Sequence, residues 1–177
     1  MRTSVEQSIV AGCVGALRQA QELLERLGDQ LYADAEALPI QSGVGGHLRH
    51  CLDFYQSFLS GVRERRVDYN RRGRDLLVER DRSFALFRIQ ITIEELLALA
   101  PYGDGTPLLV SLEDAPAESG WCESSVGREL QFLLSHTVHH YALIALLLRL
   151  RGFEPGREFG VAPSTLEHWK KEAACAR

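Results

Sequence analysis

Two histidines four residues apart, His136 and His140, lie within a long apolar stretch between Val126 and Leu150. A helix turns about 100° per residue, so side chains four positions apart lie on the same face. An unpaired imidazole on the packed face of a helix costs free energy, whereas two adjacent imidazoles can bind one metal ion. The spacing therefore predicts either part of a metal site or two core histidines that are hydrogen-bonded to carbonyls or water.

A metal site needs at least one more ligand, and a second apolar segment offers His47 and His50. On a helical wheel His47 lies inside the apolar arc of this segment and His50 lies at its edge, so the wheel permits either as the ligand. Asp53 and Glu129 are further candidates, as carboxylate ligands or as acceptors for the outer N–H of a ligating histidine. Such acidic residues are more often at the surface than in a site.

The neighbouring His139 points about 60° away from the stripe that carries His136 and His140. This rotation directs it toward Phe132 and Leu143. We therefore predict that His139 packs against these residues or supports a ligand, and that it does not itself bind the metal.

Apolar residues at intervals of three and four predict four main helices. The predicted segments are Val10 to Leu31, Ser42 to Val62, Glu79 to Ala100 and Ser124 to Arg151. Between Leu86 and Ile93 the apolar residues alternate as in a strand, but the length of the segment and its continuation favour a helix. Residues 101–123 form a long crossover with room for a small hairpin, and a short helix is expected after Gly156. The pattern predicts an all-α fold, a four-helix bundle with a long crossover before the last helix, in a single domain over residues 1–177.

The composition is that of an ordinary soluble globule, with 45% hydrophobic and 25% charged residues. A net charge of −4 argues against a protein that binds nucleic acid. A basic stretch from Arg63 to Arg74 is interpreted as a solvated loop between helices. The chain shows neither a signal pattern nor an apolar run long enough to span a membrane, so no membrane partner is expected.

Four cysteines are scattered along the chain, at Cys13, Cys51, Cys122 and Cys175. They form no Cys-x-x-Cys pair, so a disulfide framework and a zinc ribbon are both disfavoured. Reduced thiols predict a cytoplasmic location, and a buried space-filling role is the common fate of such cysteines.

The two histidine motifs together resemble those of a known superfamily. Gly-His-Leu-Arg-His-Cys-Leu-Asp-Phe-Tyr on the second helix, with Leu-Ser-His-Thr-Val-His-His-Tyr on the fourth, is similar to the DinB-like superfamily of metal-binding four-helix bundles. This superfamily includes domains of the ergothioneine-pathway sulfoxide synthases and the mycothiol-dependent maleylpyruvate isomerases. The resemblance covers the chain from about residue 8 to about residue 168, and the long crossover before the last helix matches the arrangement of the superfamily.

The resemblance implies one ligand from the second helix and two from the last. On this chain these ligands are His50, His136 and His140, and they would hold a divalent metal ion such as zinc, nickel or iron. Three protein ligands leave at least one open position on the ion, as in catalytic zinc sites. The catalytic domain of the sulfoxide synthases is absent from this sequence, so their reaction is not implied.

Three functions follow from these expectations. The leading hypothesis, by resemblance, is a metal-dependent transferase or related enzyme that acts on a small molecule, in particular a low-molecular-weight thiol. A metal-dependent hydrolase would use the same ligands with Asp53 or Glu129 as a nearby acid or base. A non-enzymatic, stress-associated protein would use the metal as a structural staple, with His47 as the fourth ligand that closes the site.

A homodimer is also expected. The stripe of Val10, Val14, Leu17 and Leu24 on the first helix, and the apolar residues on several sides of the third helix, offer more hydrophobic surface than one core requires. DinB-like proteins often pair through helices, and this resemblance favours the same prediction.

Overall fold

A computed structural model of the protein describes residues 9–34, 42–111 and 120–175, and within these ranges the chain is mostly helical. The helices are α1 (Ile9–Arg26), α2 (Asp29–Ala33), α3 (Val44–Val62), α4 (Leu76–Arg80), α5 (Arg82–Leu97), α6 (Val126–Leu150) and α7 (Pro163–Cys175). The strands are β1 (Arg66–Val67), β2 (Pro107–Ser111) and β3 (Trp121–Ser125).

The hydrophobic core lies between the four longest helices of the described residues, which are α1, α3, α5 and α6. α3 packs against α5 and α6, and α1 packs against the same two helices. The core is built from apolar side chains that each helix contributes at helical spacing, among them Leu17, Leu24, Leu48, Phe58, Ile89 and Leu133. The helical class that the sequence predicts is therefore confirmed.

The first and third predicted helices are each divided in two. The chain leaves helical geometry at Gly28, which separates α1 from α2. Asp81 separates α4 from α5, because its backbone is extended (φ −120°, ψ 107°) and its carboxylate accepts a hydrogen bond from the amide of Phe84 at 2.9 Å. This is an N-cap, and it starts a new helix within a segment whose apolar pattern is continuous. The strand-like alternation from Leu86 to Ile93 nevertheless lies in α5, as predicted.

A small three-stranded sheet, in the order β1-β2-β3, is added to the helices. β2 and β3 pair antiparallel with Leu109 opposite Glu123, so the crossover contains a hairpin whose connecting residues 112–119 lie outside the described ranges. β1 pairs parallel with β2 through only two residues, Arg66 and Val67. The hairpin of β2 and β3 lies in the crossover that was expected to have room for one. Only β1 and its pairing with β2 are unforeseen, because a two-residue strand carries no periodicity that a sequence could reveal.

The predicted boundaries of the last helix are confirmed in α6. The Ser125 hydroxyl accepts a hydrogen bond from the amide of Arg128, which caps the first turn. Gly152 follows the helix with φ +74°, a left-handed conformation that favours glycine. By length and composition α6 is apolar enough to cross a membrane. In the fold it is a core helix, since it packs against α1 and α3.

Gly45 permits a very close approach between α3 and α4. A Cβ atom at this position would lie 2.0 Å from the backbone oxygen of Glu79. The approach brings Glu79 to Arg49, whose guanidinium forms ion pairs with Glu79 at 2.8 Å and with Asp53 at 2.9 Å. The glycine therefore fixes α4 against the same helix that carries His47 and His50.

The apolar stripe of α1 is used inside the molecule. Val14, Leu17 and Leu24 are buried in the core, so this stripe is not the surplus surface that the dimer prediction assumed. Large exposed apolar side chains occur instead on α4, on α5, on β2 and at the end of α6, at Leu76, Leu77, Phe87, Leu97, Leu109, Leu146 and Leu150.

Candidate metal centre

Three histidines from two helices come together at one point. His50 lies on α3, one turn after His47, and His136 and His140 lie one turn apart on α6. One nitrogen of each ring can be chosen so that all three nitrogens lie within 4.8 Å of one another. The set that the sequence analysis named as ligands could thus hold a single metal ion.

The three rings are close in every pairing. The centroids are 5.0 Å apart for His50 and His136, 4.7 Å for His50 and His140, and 4.5 Å for His136 and His140. All three side chains are half-buried. The cluster therefore lies between the core and the surface, as the position of His50 at the edge of the apolar arc predicts.

Burial keeps these imidazoles neutral at physiological pH. Desolvation, with the positive charge of neighbouring groups, lowers the pKa of His50 to about 4 and that of His140 to about 3. Burial also lowers the pKa of His136 from the ordinary value of 6.5. Neutral imidazole is the form that binds a metal ion, so the three histidines already have the protonation state that metal binding requires.

His47 lies beside the three ligands rather than among them. Its Nδ1 is 3.0 Å from Nδ1 of His140, and its side chain is only 7% exposed. Within the described ranges, no other histidine, cysteine or acidic residue joins the group of three. The resemblance to the DinB-like motif therefore selected the second-helix histidine that the structure brings into the cluster.

Unsatisfied polar atoms support a fit between this cluster and a metal ion. Nε2 of His136 is buried and has no hydrogen-bond partner in the described part of the chain. Such an atom costs free energy unless a ligand binds it. Three neutral imidazoles suit zinc, nickel or iron, and the residues present thus fit a divalent ion.

Aromatic rings and an arginine border the cluster on one side. The ring of Phe54 lies 4.4 Å from that of His136, and the ring of Phe132 stacks on it at 5.6 Å. The guanidinium of Arg72 lies over Phe54, 4.7 Å from the ring centroid. The positive charge of Arg72 contributes to the low pKa of both His50 and His136. The sequence does not single out this arginine, because it lies in a basic stretch whose composition favours a solvated loop.

The two candidate carboxylates are engaged elsewhere. Asp53 is buried and forms its ion pair with Arg49. Glu129 is 5% exposed and accepts hydrogen bonds from the hydroxyls of Tyr69 at 2.9 Å and Ser124 at 2.5 Å. Neither joins the histidine group, so their predicted roles as direct ligands are not supported by their positions.

Of the two roles predicted for His139, packing against Phe132 and Leu143 is wrong, and contact with a ligand is the one that remains. Its side chain is exposed, and its ring contacts that of His140 edge-on, at a centroid distance of 5.3 Å. It therefore lies on the solvent side of a ligand, consistent with its exclusion from the ligand set.

A cleft of about 380 Å³ lies next to the histidine cluster, between the sheet and the first turns of α6. Phe54 and Phe132 form part of its wall, and both rings also contact His136. Glu129 and Arg128 supply charged groups, and the exposed Cys122 also lines it. This volume is in the range that small-molecule ligands occupy.

Part of this chain is similar to part of a known protein. No family model matches it, and no solved structure matches it. FK506-binding protein 5 from Rhizopus delemar is 36% identical to the chain over 111 residues, which are 60% of this chain and 28% of that protein. The chain thus spans less than a third of the length of the curated relative it matches.

Proposed function

We propose that this chain is a metal-binding protein of the DinB-like type, in which His50, His136 and His140 hold one divalent ion. The observation that carries the proposal is the convergence of three imidazole nitrogens within 4.8 Å, from two helices far apart in sequence. The mutual packing of α1, α3, α5 and α6 supports the corresponding four-helix bundle, with the small sheet as an insertion in the crossover.

We further propose that the site serves a metal-dependent transferase or related enzyme that acts on a small thiol. A divalent ion with three neutral imidazole ligands supplies a Lewis-acid position with net positive charge, which favours an anionic fourth ligand such as a thiolate. The chain adds to this preference, because Arg72 places a further positive charge beside His50 and His136.

The surrounding residues have separate roles in this proposal. Phe54 and Phe132 cover one side of His136 and exclude water from it. The same two rings line the adjacent cleft, where they offer an apolar surface to the body of a small substrate. Arg128, at the edge of that cleft, is positioned to bind an anionic group of such a molecule.

The two alternative functions have less support. A hydrolase needs an acid or base at the ion, but Asp53 is paired with Arg49 and Glu129 is held by Tyr69 and Ser124. A structural staple needs a closed fourth position, but His47 contacts His140 and is not a member of the three-histidine group.

We also propose that the protein is cytoplasmic. Cys13, Cys51 and Cys122 are free thiols, which suits the reducing cytoplasm. Nucleic acid and membranes are not proposed as partners. The name of the Rhizopus delemar relative adds no activity to the proposal, because the chain spans only 28% of that protein.

The test is spectroscopic and uses cobalt in place of the native ion. We expect that adding glutathione, mycothiol or bacillithiol to the cobalt-loaded protein produces sulfur-to-metal charge-transfer absorption. Arg72→Gln is the matched variant, since it removes the nearby positive charge and should weaken thiol binding while the three histidines remain. A cobalt spectrum that ignores both thiols and small anions would show a closed site and favour the structural staple.

A further inference from the structure

We infer that His47 is a positioning residue, whose Nδ1 accepts a hydrogen bond from Nδ1–H of His140 and so directs Nε2 of His140 toward the metal. The inference rests on the proposed metal site. It assigns a role to a fourth histidine that lies next to the ligands and is not one of them.

The geometry comes from one short contact. Nδ1 of His47 and Nδ1 of His140 are 3.0 Å apart, a normal hydrogen-bond distance, and both lone pairs cannot face each other at that distance without a proton between them. The ring centroids are 5.2 Å apart and the ring planes are inclined at 42°. One of the two nitrogens must therefore carry the proton, and two neutral tautomeric arrangements are possible.

Metal binding selects one of these arrangements. In a neutral imidazole only one nitrogen is protonated, and the other carries the lone pair that can bind a metal. If His47 donated the proton, Nδ1 of His140 would be the acceptor, the proton of His140 would lie on Nε2, and His140 would have no free lone pair. If His140 donates from Nδ1, its Nε2 is free to bind the ion. His47 then carries its own proton on Nε2.

The surroundings of His47 hold its ring in place for this contact. The side chain is buried on α3, so its ring is held by packing and does not depend on solvent for its orientation. The Nε2 atom of His47 has no hydrogen-bond partner in the parts of the chain that the structure describes, so Nδ1 provides its one such contact there. A ligating histidine ordinarily donates its outer N–H to an acceptor that fixes its tautomer and orientation, and here that acceptor is another imidazole.

A separation near 3 Å is also typical of two nitrogens that share one tetrahedral metal ion, which would make His47 a fourth ligand. The described residues favour the positioning role. Nitrogens of His50, His136 and His140 are mutually within 4.8 Å, whereas His47 is not part of that group. His47 therefore contacts His140 without joining the group of three.

The experiment compares zinc affinity, measured by competition with a chromophoric chelator, in three variants. His47→Leu removes the acceptor and should weaken zinc binding about 10- to 100-fold. His47→Asn places an amide oxygen near the original Nδ1 position and should restore most of the affinity. His139→Leu alters the other histidine beside His140, which is exposed, and should leave the affinity unchanged.

Two readouts on the loaded protein separate positioning from ligation. X-ray absorption should count three histidine ligands in both the wild type and His47→Asn. Nitrogen-15 NMR of the zinc-loaded wild type should show His47 protonated at Nε2 and unprotonated at Nδ1. Four histidine ligands in the wild type, a His47 protonated at Nδ1, or an unchanged zinc affinity in a folded His47→Leu would each overturn the inference. The NMR result keeps the test decisive if His47→Leu fails to fold.

The same series distinguishes this inference from the proposed metal site. If His136→Ala abolishes zinc binding while His47→Leu does not weaken it, the site stands and the role of His47 is wrong. If His136→Ala retains full zinc binding, the metal site itself is wrong.

Discussion

His50 on α3 and His140 on α6 have ring centroids 4.7 Å apart, although they lie 90 positions apart in the sequence. Only the packed fold brings these two imidazoles together. Any ion that they share therefore binds the folded state in preference to the unfolded chain, and metal binding and folding are thermodynamically linked.

Removal of the metal should lower the melting temperature of the protein. At free metal 100-fold above the dissociation constant, binding contributes about 2.7 kcal/mol, which corresponds to roughly 5 to 10 °C for a domain of this size. Differential scanning calorimetry before and after chelation checks the shift, with residual metal measured in the same sample. An unchanged melting temperature after verified removal would indicate a weak or adventitious site.

The metal-free protein should lose stability as the pH falls below 6.5. The pKa values of His50 and His140 are about 4 and about 3 in the folded protein and 6.5 when unperturbed, so between these values the unfolded chain binds more protons. The free energy of unfolding, measured in urea from pH 7 to pH 5, should therefore decrease with falling pH. In the double variant His50→Gln, His140→Gln the decrease should be smaller. An equal slope in both proteins would show that these histidines do not carry the effect.

Gly45→Ala should destabilise the fold. The new methyl group would meet the backbone oxygen of Glu79 at 2.0 Å, and overpacking of this kind costs about 1 to 3 kcal/mol. Gly15→Ala is the matched control, because Gly15 is exposed within α1 and a Cβ there would meet nothing within 4 Å. This control should stabilise the protein by about 0.5 to 1 kcal/mol. Chemical denaturation checks both values, and a neutral Gly45→Ala would contradict the close approach of α4 to α3.

The chain is predicted to form a homodimer. Phe87 and Leu97 are exposed on α5, and Leu76 and Leu77 are exposed on α4, which offers an apolar surface that association would cover. Light scattering at micromolar concentration should give twice the 19.8 kDa mass of the chain. Phe87→Lys should shift the protein toward the single-chain mass. A wild type of 19.8 kDa under these conditions would refute the prediction.

The sequence predicts the helices that carry the site because their signals are local. The apolar period of α6 and the cap at Ser125 define that helix without reference to the rest of the chain. The four-residue spacing of His136 and His140 places both on one face. The helical wheel of α3 likewise predicts that His47 is more buried than His50, and the structure agrees.

The contacts between elements could not be predicted in the same way. The pairing of His47 with His140, the position of Arg72 over Phe54 and the bonds from Tyr69 and Ser124 to Glu129 all depend on how separate elements pack. A wheel gives the direction of a side chain and does not give its partner. The short strand β1 was missed for a related reason, since its pairing with β2 is a tertiary contact.

The central claim is that His50, His136 and His140 together hold one metal ion, and elemental analysis of untagged protein tests it most directly. We expect about one divalent ion per chain in the wild type and in His139→Ala, and a large loss of metal in each of His50→Ala, His136→Ala and His140→Ala. Circular dichroism of the same samples checks that each variant is folded. Full stoichiometric metal in His136→Ala, or a wild type that binds none, would contradict the account.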